Sequence, residues 1–258
     1  MKNMKYRPKK PVRSTKNKMP SRQPSRLLRV GLFAGALLLV PLSIGLARGL
    51  VWTERFYGRP DILGMSAPAA FFVIGFLAFA VLYAVVRIPA FFYVVGHELT
   101  HALFGMLVGA RVSDWSVKAE TGSVRITRPG ILVLLSPYFV PLYMLAILAV
   151  FGVLSLLGPM IGTIPGQFFS FLCGAAWGFH FCFTVNNFMQ RQTDLEAYGF
   201  FFSFVFVVTL NLLVLCLVYV ALTRIDLRDM AFVCWDRIAD TYLWFWDRFW
   251  SLIEGWRT

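Results

Sequence analysis

His97, Glu98 and His101, in the run His97-Glu98-Leu99-Thr100-His101, are the residues whose types and spacing most directly imply chemistry. On a helix, positions i and i+4 share a face. The two imidazoles can therefore offer nitrogens to one Zn²⁺ while Glu98 stands beside them as general base. The chain holds three histidines, and two of them are here. Between Asp61 and Asp114 the only acidic residue is Glu98. A carboxylate at bilayer depth costs ~2.5–3.5 kcal/mol even on lenient insertion scales, so one kept in an apolar segment reads as functional. The plainer alternative makes the histidines hydrogen-bonded packing residues and Glu98 their structural partner.

Catalytic zinc takes three protein ligands and leaves one position for water. Candidates for the third ligand are Asp194, in Gln190-Arg191-Gln192-Thr193-Asp194-Leu195, then His180 and Glu196. On one continuous helix His180 and Asp194 would stand roughly 20 Å apart, so they could share a metal only across a break, and Asn186-Asn187 is where we expect one. Asp194 can equally be read as the N-cap of a following helix.

These residues must be positioned by helices in a membrane. Hydrophobic residues make up 58% of the chain and charged residues 15%, a composition that excludes a large soluble domain and predicts an all-α polytopic membrane protein. Apolar runs at 27–52, 69–86, 89–109, 131–157, 166–189 and 197–222 each approach the ~20 residues a span needs, giving about six transmembrane helices. Arg87 and Pro89 divide 69–109, which as one helix would reach roughly 60 Å. Ser136-Pro137 and Pro141 predict a kink in 131–157 that opens a polar path or simply bends the helix. Residues 111–128, with Val112, Val117, Val124 and Ile126 around Glu120-Thr121-Gly122, predict a small β-hairpin.

The formal charge is +12, and residues 1–29 supply eleven of it with no acid. This Pro-, Ser- and Lys-rich tail, 1–26, predicts disorder. It reads as a positive-inside determinant and a contact for anionic lipid of the bilayer, with no nucleic acid as partner. The expected location is a bacterial-type inner (plasma) membrane, N-terminus cytoplasmic. Six full crossings would leave the basic 111–128 loop outside. A single net crossing over 69–109 brings Arg111, Lys118, Arg125, Arg128 and Arg191 to the cytoplasmic side, where the same rule prefers them. After Thr223, Leu227, Met230, Trp235, Ile238, Tyr242, Trp246, Phe249, Ile253 and Trp256 recur at helical spacing. They predict an amphipathic, Trp-rich helix lying in the interface, or one that binds a partner. Cys173, Cys182, Cys216 and Cys234 show no metal or redox spacing.

The order of HExxH, hairpin, two spans and Asp194 resembles the core of the site-2 protease family of intramembrane zinc metalloproteases over residues 89–222. In that family an Asn-rich stretch precedes the ligand Asp, as Asn186 precedes Asp194 here by eight positions. The chain departs from the pattern in having no Pro between the two and Leu195 where Gly is expected. The resemblance implies one Zn²⁺ per chain held by His97, His101 and Asp194, with Glu98 catalytic and Asn186 or Asn187 contacting substrate or oxyanion. It implies N-terminal spans over 27–88, a metalloprotease core over 89–222, a C-terminal helix over 223–258, and a transmembrane protein as substrate. The expected alternative is a pseudoprotease or membrane scaffold that binds transmembrane partners without turnover.

Overall fold

The computed structural model describes residues 25–118, 121–127, 129–190 and 192–256. The basic tail, Glu120, Arg128 and Arg191 lie outside them. The described chain is mostly helical, with one two-stranded sheet. α1 (Arg26–Tyr57) begins at Ser25, whose hydroxyl accepts from the Leu28 amide. α2 (Ala67–Val85) stops before Arg87 and Pro89, and α3 (Phe91–Leu107) carries the two-histidine motif. β1 (Val112–Val117) and β2 (Gly122–Ile126) pair antiparallel, Val112 opposite Ile126, with an irregularity between Ser113 and Ser116. The hairpin is where the valine and isoleucine alternation predicts it.

α4 (Ile131–Phe139) and α5 (Leu142–Ser155) are apolar helices bent by 71° at the break between them. α6 (Ile164–Met189) is capped by Thr163 and carries Pro165 in its first turn, where a missing N–H is harmless. α7 (Thr193–Glu196) is a single turn, and Gly199, at φ 91°, reverses the chain into α8 (Phe200–Leu222). α9 (Leu227–Gly255) starts on the Asp226 cap.

α1, α2, α6, α8 and the bent α4–α5 pair are long and apolar enough to cross a membrane. Outward residues such as Leu38, Leu77, Val81 and Leu217 are large, apolar and exposed, as expected of lipid-facing helices. Their relative directions follow from which residues meet. α1 and α8 run parallel, since Phe33 meets Phe201, Ser43 bonds Thr209, and Tyr219 donates to Glu54. α2 and α6 also run parallel, from Phe76 on Trp177 to Tyr83 on Phe183. Their backbones touch through small residues: a Cβ at Gly174 would lie 1.9 Å from the Phe72 carbonyl oxygen. Without a hydrophobic drive between helices in lipid, such close backbone contact is what holds them.

Two expectations need amendment. α6 is unbroken through Asn186-Asn187 because the Asn186 carbonyl accepts from the Gln190 amide; the break falls after Met189. The C-terminal amphipathic helix forms, but its partner is α1, along which it runs antiparallel. Gly49 faces Cys234, Gly45 faces Ile238, and Tyr242 donates to the Leu38 carbonyl.

Candidate metal centre

The site forms where α3, α4 and α7 meet under the hairpin. Both α2 and α3 pack on Phe183 of α6: Tyr83 edge-on and Tyr93 stacked at 4.8 Å. α3 therefore starts at the depth where α2 ends. It leads His97 and His101 towards α7, on which Asp194 stands. Asp194 Oδ2 lies 3.8 Å from His97 Nε2 and 3.5 Å from His101 Nε2. One ligand atom from each of the three residues falls within 4.8 Å of the others, a spacing fit for one metal ion. Asp194 lies outside the spanning helices. Burial would raise its pKa, but hydrogen bonds and charge from His101 and His97 outweigh that and hold its carboxyl well below the usual range.

The outer nitrogens of both imidazoles are engaged. His101 Nδ1 meets the Val133 carbonyl at 2.7 Å, which turns Nε2 towards Asp194. That carbonyl lacks its helical N–H partner because Pro137, four residues on, has none to donate, and it accepts from Ser136 Oγ at 2.9 Å as well. His97 Nδ1 lies 3.3 Å from Tyr93 Oη, which accepts from Asn187 Nδ2 at 2.7 Å. Outer-shell partners of this kind fix ring orientation and tautomer in metal sites. Asn187 is thus buried and committed to Tyr93 instead of open to a substrate, and Asn186 lines neither cavity beside the motif.

His180 is also placed elsewhere. Its Nε2 meets the Tyr138 carbonyl at 3.1 Å, and Asn211 Nδ2 donates to the same oxygen at 2.9 Å. In a regular helix that carbonyl would bond the amide of Leu142, but at the α4–α5 break the Leu142 amide turns back to Val140. His180 answers the broken helix, and Asp194 is the residue that joins the motif. Glu196, on the same turn, is not in the cluster.

Glu98 is 8% exposed and lines a cavity of about 180 Å³ with His97, His101, Asp194, Thr193 and the start of β2. Gly122 presses directly on it: a Cβ there would lie 2.5 Å from Glu98 Cγ. The hairpin therefore reaches back over the motif, and only glycine fits beneath it.

Two oxygen-bearing side chains of the site escape a reading of motifs. Tyr93 had a usable sign, standing four residues before His97 on the same helix face. Tyr138 had none beyond its place between Pro137 and Pro141. Two imidazoles, a carboxylate and a neighbouring Glu suit a divalent cation such as zinc, which favours nitrogen and carboxylate donors. No protein-family model, no curated protein and no solved structure matches the chain.

Proposed function

We propose that the chain is an intramembrane zinc metalloprotease of the site-2 protease type, hydrolysing peptide bonds within or next to transmembrane segments. The observation that carries this reading is the convergence of His97, His101 and Asp194 beside Glu98, in a cavity roofed by a β-hairpin among apolar helices. The three residues would hold the zinc. When bound, it supplies a Lewis acid that polarises a carbonyl and makes a coordinated water acidic.

Glu98 takes the proton of the attacking water and passes it to the leaving amine, work for which its carboxylate lies beside the motif histidines and its escape is blocked by Gly122. Tyr93 and the Val133 carbonyl keep the imidazoles in register. A substrate helix hides its backbone in its own hydrogen bonds and must partly unwind before attack. The free edge of the two-stranded hairpin offers main-chain bonds to the released strand.

The helix directions place the start of α1, the ends of α2 and α6, all of α7 and the start of α8 at one end. Arg26 and Arg29 of α1, with Arg87, Arg111, Lys118 and Arg125, fall on this side, so we assign it to the cytoplasm of a bacterial-type inner membrane. The segment 69–109 then makes one net crossing. α9 enters the bilayer alongside α1, and its Arg237 group sits at the boundary where α1, uncharged since Arg29, carries charge again at Arg48.

The test is zinc content and proteolysis of purified chain with a transmembrane substrate. Wild type should carry about one zinc; Glu98→Gln should keep it and lose cleavage by roughly 10²–10⁴-fold. Zinc without turnover in the wild type would favour a scaffold, and full cleavage by Glu98→Gln would refute the general base.

A further inference from the structure

The phenol of Tyr138 is fully buried, and among the described residues its Oη has no hydrogen-bond partner. A buried tyrosine hydroxyl usually finds one, so this oxygen needs an explanation. Its ring stands edge-on to His97 at 5.3 Å and to Phe188 at 5.9 Å, which fixes it beside the three convergent ligands. The Asp194 carboxylate stands close enough to act on it. Asp194 itself turns Oδ2 towards both imidazoles, which leaves Oδ1 as the oxygen away from the ligand set.

The other end of Tyr138 is held with equal care. Its carbonyl, released at the α4–α5 break, accepts from His180 of α6 and Asn211 of α8. Two spans are thus recruited to hold one backbone group whose side chain enters the site. Asn211 also donates to the Val207 carbonyl of its own helix, which anchors the brace.

We propose that Tyr138 is a positioning residue of the metal centre. Its hydroxyl donates to Oδ1 of Asp194 once Oδ2 ligates a cation, and His180 with Asn211 sets the depth of that hydroxyl through the carbonyl. The role rests on the metal-centre reading above. It gives the third histidine of the chain a task that needs no contact with metal. A ligating carboxylate is ordinarily hydrogen-bonded on its free oxygen, and losing such a partner lowers metal affinity by about 10–100-fold.

The experiment uses the full chain in detergent, stripped and titrated with Co²⁺ against a chelator, with the visible d–d band recorded. Tyr138→Phe keeps the packed ring and removes only the hydroxyl. It should bind Co²⁺ about 10–100-fold more weakly and shift the band. His180→Leu combined with Asn211→Leu should do the same from the opposite end, and His180→Gln, which retains a donor, should recover most of the affinity. Unchanged affinity and band in folded Tyr138→Phe overturn the proposal. Should that variant fail to fold, unchanged values in the double variant overturn it as well. A folded wild type that binds no Co²⁺ would instead overturn the metal-centre reading, and this role with it.

Discussion

Charge is gathered between apolar helices in two regions, and the two are completed differently. At the α1–α9 seam Arg237 pairs with Asp236 and Asp240, lies over the Trp52 ring at 4.7 Å, and neighbours Arg48, which donates to Thr241. Every charge there is answered by another side chain. In the α3–α7 region the ion-pair partners of Asp194 among the described residues are two imidazoles, and Glu98 adds a second carboxylate. The first cluster balances itself and joins helices. The second gathers electron-pair donors around one point with no Lys or Arg lining it among the described residues, the arrangement a cation completes. Unbalanced donors, more than buried charge as such, separate a site from a strut.

The largest expected effect tests that contrast directly. Asp194→Ala and His101→Ala should each reduce bound zinc from about one per chain towards none, measured by elemental analysis of purified protein. Arg237→Met should leave zinc unchanged. Equal zinc loss in Arg237→Met would break the comparison, since the seam would then be part of the site. Next in size is Gly122→Val, whose side chain must displace Glu98 or lift the hairpin. Cleavage should fall at least 10-fold with zinc retained, a loss of about 1.4 kcal/mol in transition-state stabilisation. Retained cleavage would show that the roof does not hold Glu98.

A third prediction concerns the helix contacts shared by both regions. Gly174→Leu forces α2 and α6 apart at the Phe72 carbonyl. Overpacking of this kind costs about 1–3 kcal/mol, and close backbone contact in lipid puts this case at the upper end. Thermal unfolding in detergent should show it, with lowered zinc retention only after heating.

The sequence revealed what is periodic or local. His97 and His101 are read from i, i+4 spacing, the gap between α2 and α3 from Arg87 and Pro89, and the hairpin from alternating Val and Ile around Gly122. What stayed hidden depends on partners distant in the chain. Asn187 looked like part of a break because its partner, Tyr93, lies 94 residues away. Pro137 and Pro141 announced a bend, but nothing local says that the carbonyls of Val133 and Tyr138 would go to His101 and His180. The choice between Asp194 and His180 turned on this. Both are polar groups near one span end, and a carbonyl waiting on another helix captures one of them. The C-terminal periodicity likewise defined a helix and one apolar face, yet Gly45 and Gly49, which let α9 approach, belong to α1.

The smallest effect is expected at the seam itself. Arg237 retains 21% of its side-chain exposure, and its partners Asp236 and Asp240 retain 49% and 44%, so solvent screens much of their attraction. Arg237→Met keeps the apolar stem over Trp52 while removing the charge. It should lower stability by only about 0–1 kcal/mol, as exposed ion pairs do. Were this stretch of α9 in hydrocarbon, the same change would strand two carboxylates without a counter-charge and cost about 3–5 kcal/mol. Thermal midpoints of Arg237→Met and of Arg237→Met with Asp236→Asn and Asp240→Asn separate these cases. A small drop that the added substitutions do not reverse places the seam at the membrane boundary. A large drop that they restore would move it into the bilayer and make its balance of charge a condition of folding.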